Sequence, residues 1–283
     1  MLNPFDQLPP LYAIAFAVLF GLLLGSFLNV VVYRLPRDLN VAWPGSHCPF
    51  CEKPIAWFDN LPVLSYLLLG GRCRSCRAGI PWRYPVLEAS TGLVFAAAVW
   101  RLGPTVDALK LCLFAALMLA LVFMDLETFI LADEITLGGT ALGLALSLFL
   151  PMPRFLSLLV FPAEWSLSLR SFAESALGAA LPALALWGIG KAYELVRRRE
   201  GMGFGDVKMM ALIGAFYNLQ AALLTLMLAS ILGSVIGLAV ITLTRKDAAT
   251  TEIPFGTFLG LAALLPPFLW PDVANKLMSP WPF

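Results

Sequence analysis

Residues 11–33 read LYAIAFAVLFGLLLGSFLNVVVY, and this stretch decides the fold class. It carries no Asp, Glu, Lys or Arg. A helix needs about 20 apolar residues to cross the hydrocarbon core of a bilayer, so this run is long enough to span it. The ten residues before it hold Asp6 and no Lys or Arg. A signal peptide needs a basic start and a small-residue cleavage site, so the run is expected to stay in place as a first transmembrane helix.

Further apolar stretches fall near 86–100, 108–124, 135–151, 172–192, 207–219, 220–243 and 255–270. The chain is 60% hydrophobic and 13% charged, with a mean hydropathy of +0.83. Soluble domains average about 45–50% apolar and about 25% charged, so a soluble globular enzyme is excluded. The reading is an all-α polytopic membrane protein with about eight transmembrane helices. The stretch 207–219 is short for a span and 86–100 is marginal. Between Leu35 and Arg83 the chain has no long apolar run, which marks a small domain outside the bilayer. The domain boundaries are therefore a first transmembrane helix at 1–34, an extramembrane domain at 35–84 and a transmembrane core at 85–283.

Basic residues set the orientation, because cytoplasmic loops are enriched in Lys and Arg. Arg34, Arg37, Lys53, Arg72, Arg74, Arg77, Arg83, Lys191, Arg197, Arg198, Arg199, Lys208, Arg245 and Lys246 fall on one side. Arg101, Lys110, Arg154, Arg170 and Lys276 fall on the other. The first side is expected to be cytoplasmic, with both termini periplasmic. The net charge of +1 gives no reason to expect nucleic acid as a partner.

Four of the five cysteines pair as Cys48-Pro-Phe-Cys51 and Cys73-Arg-Ser-Cys76. Each pair offers two thiolates from one tight turn, and two such turns close a tetrahedron around Zn²⁺. The 21 residues between the pairs slightly exceed the usual spacing. The charge pattern places this segment in the reducing cytoplasm, where disulfides are rare. A structural zinc site is the preferred reading, with disulfides or free thiols as the alternatives. His47 adjoins the first pair and reads as a bystander. Cys112 lies in an apolar span and reads as a small packing residue.

The acidic residues at the membrane edge carry the candidate chemistry. One cluster, Asp125-Leu-Glu-Thr-Phe-Ile-Leu-Ala-Asp133-Glu134, joins the third and fourth spans. The other, Gly201-Met-Gly203-Phe-Gly205-Asp206-Val-Lys208, opens the sixth apolar stretch. Ionisable groups at membrane depth are costly and point to function. Two carboxyl groups held close cannot both ionise easily, so one takes a proton from water while the other polarises a carbonyl, as in aspartic proteases. His47 is the only histidine, which removes any Ser/His/Asp set. The plainer alternatives stay open at this point. Asp125 and Asp133 also suit solvated loop charges, Asp133 suits a cap for the fourth helix, and the pair suits a transporter with acidic cation ligands.

Gly25-Ser-Phe-Leu-Asn-Val-Val-Val-Tyr-Arg-Leu-Pro36 resembles the opening signature of the type IV prepilin peptidases. The two CxxC pairs follow, then Arg83-Tyr-Pro-Val-Leu-Glu88, the Asp125 stretch, the GxGD run ending at Asp206, and Ile253-Pro-Phe-Gly256. The resemblance runs in order from about residue 25 to 260. It implies a bifunctional bacterial inner-membrane enzyme, an aspartic endopeptidase and N-methyltransferase. Such enzymes cleave the basic leader of type IV prepilins, and of the pseudopilins of type II secretion, on the cytoplasmic side. They then methylate the new N-terminal residue with S-adenosylmethionine. The family's catalytic aspartates match Asp125 and Asp206, and its zinc-associated domain matches the segment holding Cys48, Cys51, Cys73 and Cys76. The family's Pro-Asp is Ala132-Asp133 here. The segment Pro151–Ser171 is long and reads as an outside loop. No Gly-rich fingerprint marks where the methyl donor binds.

Gly21/Gly25 and Gly256/Gly260 have the spacing of small residues at helix contacts. Arg197-Arg198-Arg199 reads as a topology and lipid-headgroup signal. Glu52, Asp59, Glu88, Glu127 and Glu134 are candidates to attract a basic leader by charge complementarity. The oligomeric state is left open by the sequence.

Overall fold

A computed structural model of the chain describes residues 11–150, 161–162, 164–198, 203–244 and 254–268. Regular structure in these residues is helical: α1 (Leu11–Arg34), α2 (Leu64–Leu68), α3 (Arg83–Leu102), α4 (Val106–Thr128), α5 (Asp133–Phe149), α6 (Leu167–Arg197), α7 (Phe204–Phe216), α8 (Leu219–Thr244) and α9 (Phe255–Ala263). Among the described residues a helix lies on each of the eight expected apolar stretches. Five of them, α1, α3, α4, α6 and α8, are long and apolar enough to cross a membrane, giving a multi-pass membrane protein. The helices α5, α7 and α9 have 17, 13 and 9 residues and fall short by length. Length therefore supports five spans where the sequence reading expected about eight. The segment expected to be an outside loop already belongs to α6 at residues 167–171. Its residues 151–160 and 163, and residues 1–10, lie outside the described residues. So do Arg154, Arg199, Arg245, Lys246 and Lys276 of the charge tally.

The chain divides into two compact units, Met1–Met124 and Asp125–Phe283. In the first unit α1 lies along α3. The contact is backbone to backbone. A Cβ on Gly21 would come within 2.8 Å of Gly92 Cα, and one on Gly25 within 2.7 Å of Glu88 Cα. Lipid tails give two apolar helices no hydrophobic reason to associate, so close van der Waals packing at small residues has to do it. This places Gly21 and Gly25 in a contact within one chain.

Beyond α1, the loop folds around the buried guanidinium of Arg34. Its Nη1 donates to the carbonyls of Asn40 at 3.0 Å and Val41 at 3.3 Å, and its Nη2 to that of Pro44 at 2.7 Å. The segment before α2 is tied to α3 by Glu88. Oε2 of this buried carboxyl accepts the Val63 N–H at 2.7 Å. Val63 itself sits at φ +60°, a strained value for a β-branched residue. The N–H that Glu88 accepts belongs to that strained residue.

In the second unit α7 is the central element, in contact with α5 and α6. After a first turn that carries Asp206, followed by Lys208, this helix is apolar on every side from Met209 to Phe216, and Met209, Met210, Leu212, Ile213, Ala215 and Phe216 are buried. A helix hydrophobic all round belongs in a core, which explains why this stretch is too short for a lipid-facing span. The contact with α6 is tight: a Cβ on Gly214 would fall 1.9 Å from the Gly178 carbonyl oxygen. Against α5, a Cβ on Gly143 would fall 2.7 Å from Phe216 Cδ2. Asn218 ends the connection to α8, its Oδ1 accepting the Ala221 N–H at 2.8 Å as a helix cap. In contrast to α7, α8 exposes a stripe of Leu223, Met227, Ile231, Val235 and Leu238, as a lipid-facing helix does.

Candidate active site

The four paired cysteines come together. Their sulfurs all lie within 4.8 Å of one another, and Cys48 Sγ is 3.7 Å from Cys76 Sγ. All are free thiols. Zn–S bonds of about 2.3 Å place the sulfurs of a tetrahedral site about 3.8 Å apart, so the cluster has the dimensions of a four-thiolate metal site.

Two equivalent turns build it. In the first, the Cys48 amide donates to the Lys53 carbonyl and the Glu52 amide to the Cys48 carbonyl. In the second, the Cys73 amide donates to the Ala78 carbonyl and the Arg77 amide to the Cys73 carbonyl. The residue after each CxxC, Glu52 at φ +57° and Arg77 at φ +62°, adopts the left-handed conformation that closes the turn. The backbone amides of Cys76 and then Ser75 hold the Cys73 thiol down to about 6, whereas the Cys76 thiol is pushed up to about 11. His47 makes its contact with the Gly45 carbonyl, at 3.0 Å, and Cys112 is buried in α4.

Asp125 and Asp206 also come together, within the second unit. Asp125 sits in the last turn of α4 and is 5% exposed; Asp206 sits in the first turn of α7 and is 8% exposed. The chain turns after α4 at Phe129, with φ +55°, and lays Leu131 against Gly205. A Cβ on Gly205 would lie 3.1 Å from Leu131 Cβ, so the glycine beside Asp206 lets the two segments close. Gly203 caps α7 with extended backbone, and the Asp206 amide donates to its carbonyl at 3.2 Å.

The third wall is the start of α9. A Cβ on Gly256 would stand 3.0 Å from both Cγ and Oδ2 of Asp125 and 3.1 Å from Oδ1 of Asp206. The two carboxyl groups therefore face one small volume, and these oxygens are at most about 6 Å apart, a range at which like charges interact strongly. Thr257, the next residue, donates its backbone N–H at 2.6 Å and its hydroxyl at 2.9 Å to Asp125 Oδ2. The amide is one of the donors that a helix start leaves without an intrahelical partner, so a carboxylate from α4 caps α9.

Other acidic candidates are placed differently. Asp133 does not cap α5; Ala132 holds that position, and Asp133 pairs with the Lys208 ammonium on α7. Glu88 is buried and bound to Val63, which removes it from the surfaces a basic leader can touch. Asp59 accepts two hydrogen bonds from Arg74, at 2.7 and 2.6 Å, and the first effect of that contact is to hold its carboxyl below the usual range. Glu52, Glu127 and Glu134 are exposed. Ile253, the start of the late motif, and Gly201 lie outside the described residues. Sequence reading passed over Thr257. The available signal was a polar residue in the first turn of a helix that starts after a proline, directly following a glycine singled out for other reasons.

Residues 19–102 match the bacterial peptidase A24 N-terminal domain, and residues 112–238 match the type IV leader peptidase family. The chain is similar to a prepilin leader peptidase/N-methyltransferase of Pseudomonas putida, 36% identical over 95% of this chain and 94% of that protein. A protein of the same name from Aeromonas hydrophila is 35% identical over 95% and 94%. One from Myxococcus xanthus is 36% identical over 86% of this chain and 67% of its own length. No solved structure matches the chain. Similarity of this degree runs through both the cysteine segment and the helices that carry the aspartates, and on that ground the chain belongs to the type IV leader peptidase family.

Proposed function

We propose that this protein is a bifunctional enzyme of the bacterial inner membrane. It removes the basic leader of type IV prepilins and type II secretion pseudopilins on the cytoplasmic side, then methylates the new N-terminal residue. The observation that carries the peptidase half is the convergence of Asp125 and Asp206 on the bare face of Gly256. A side chain at 256 would fill the space that a water molecule and a scissile carbonyl need.

With one proton between the two carboxyl groups, peptide hydrolysis balances. The ionised carboxylate takes a proton from water as the water oxygen bonds to the scissile carbonyl carbon. The protonated carboxyl gives its proton to the carbonyl oxygen, forming a gem-diol. Collapse of the gem-diol breaks the C–N bond. The departing nitrogen takes the proton from the first carboxyl, and a diol hydroxyl returns one to the second. The bond has to be presented in extended form, because a helical backbone buries its carbonyl in the i→i−4 hydrogen bond.

The division into a first helix at 1–34, a zinc domain at 35–84 and a peptidase core at 85–283 goes with this reading. Cys48, Cys51, Cys73 and Cys76 would hold Zn²⁺ with no open position. The ion's contribution is folding free energy for a small segment with little core of its own. S-adenosylmethionine is the expected methyl donor. Hydrolysis precedes methylation because the accepting amine exists only after the leader has left.

The test is mass spectrometry of a prepilin incubated with the purified protein and S-adenosylmethionine, with Asp206→Ala as control. Loss of the leader plus one methyl group, both absent in the control, is the expected result. Cleavage without methylation would limit the protein to proteolysis on that substrate. A folded sample that leaves a panel of pilin-like substrates intact would remove the peptidase reading.

A further inference from the structure

The two aspartates are held in unlike ways. Asp125 Oδ2 receives two hydrogen bonds, both from Thr257, at 2.6 and 2.9 Å. The Asp206 carboxyl accepts no hydrogen bond from the described residues. Thr257 is itself 5% exposed, so its donors are not shared with bulk water. Asp125 also lies in the last turn of α4, where the helix's own free carbonyls repel a negative charge, while the start of α9 supplies positive partial charge. An ionised carboxylate only accepts, so an oxygen that takes both an N–H and an O–H suits the ionised form.

We propose that Thr257 is a positioning residue of the peptidase. By fixing Oδ2, it makes Asp125 the carboxylate that receives the proton from water, through its other oxygen. Asp206 then carries the shared proton and gives it to the scissile carbonyl. The inference rests on the peptidase reading above. The proton balance is the one already written, with the roles now assigned to residues. The backbone N–H is available from any residue except proline, so the specific contribution of threonine is its hydroxyl.

The experiment compares kcat and KM for prepilin cleavage by the full-length wild type, Thr257→Val, Thr257→Ala and Thr257→Ser, with Asp206→Ala as the blank. Valine keeps the shape and loses the hydroxyl; alanine loses it without adding bulk; serine keeps it. A hydrogen bond to a charged group contributes enough for a loss of about tenfold or more in rate. The expected result is a kcat about tenfold lower in the Val and Ala variants, KM within about twofold, and recovery of kcat by Ser. The KM and the Ser rescue separate positioning from a packing role, which the loss of the methyl group in Ala and Ser would disturb and the isosteric Val would not. Val and Ala variants with wild-type kcat, a loss confined to KM, or a Ser variant as slow as the other two would overturn the proposal while leaving the peptidase reading intact. A wild type that cleaves no prepilin would overturn both.

Discussion

The Cα of Gly256 stands so close to Asp125 that a β-carbon at 256 would lie 3.0 Å from the carboxyl carbon. That is tighter than ordinary van der Waals contact, and the same atom would meet Asp206 Oδ1 at 3.1 Å. The glycine is a spatial requirement of the site, since its helical position is one that alanine would favour by propensity.

Gly256→Ala therefore separates activity from stability. The methyl group displaces one or both carboxyl groups by a few tenths of an ångström and fills the reaction volume. The expected loss in cleavage is about a hundredfold or more, with a thermal midpoint in detergent equal to or above that of the wild type. Activity within a few-fold of wild type would show that the volume beside Gly256 is not where the chemistry occurs.

Asp125→Asn and Asp206→Asn should each lower the rate of leader cleavage by about 10⁴-fold or more, leaving a residual rate measurable at high enzyme concentration. Because the two groups act as one unit, the double variant is expected to be no slower than either single one. Cleavage assays on the three proteins check this. Independent, multiplying losses would argue for separate roles.

Removal of the metal should act on the segment 35–84 alone. Metal analysis of the purified protein is expected to give one zinc per chain. Each thiol must shed its proton to bind, so the ion should be lost as the pH falls. Chelation, or Cys51→Ser, should open this segment to limited proteolysis while the helical circular dichroism of the membrane core persists. A chain that keeps the same proteolytic pattern without metal would mean that hydrogen bonds suffice to hold the two turns.

Gly214→Ala should be far more damaging than Gly188→Ala. A Cβ at 214 would lie 1.9 Å from the Gly178 carbonyl oxygen, while a Cβ at 188 meets nothing within 4 Å. The clash is with backbone, which no rotamer change relieves, so the cost should reach or exceed the upper end of the roughly 1–3 kcal/mol typical of overpacking. Thermal unfolding in detergent provides the comparison.

Glu88→Ala should destabilise the first unit by about 1–3 kcal/mol, because the Val63 N–H loses its partner. Glu88→Gln, which keeps an acceptor, should cost less. Neither change should alter prepilin affinity, since this carboxyl is buried. A charge-dependent loss of affinity at Glu88 would restore it as a leader contact.

The sequence by itself determined the class of the molecule, because hydropathy and spacing are local properties. The run 11–33 is a helix in the structure as its composition required. The spacing of Cys48, Cys51, Cys73 and Cys76 anticipated two equivalent turns, since a CxxC turn closes within a few residues. The GxGD pattern pointed to Asp206, and the structure gives the physical reason for Gly205 in Leu131. The number of spans was less legible, because an apolar run reads the same whether lipid or protein surrounds it. Only packing shows that α7 is enclosed by protein. Tertiary structure alone decided how the site closes. Asp125, Asp206 and Thr257 lie on three helices far apart in sequence, and nothing local to Thr257 records that a carboxylate from α4 will cap its helix. The same holds for Gly256, whose spacing with Gly260 suggests helix packing. What fixes its identity is the place of two carboxyl groups brought to it by the fold.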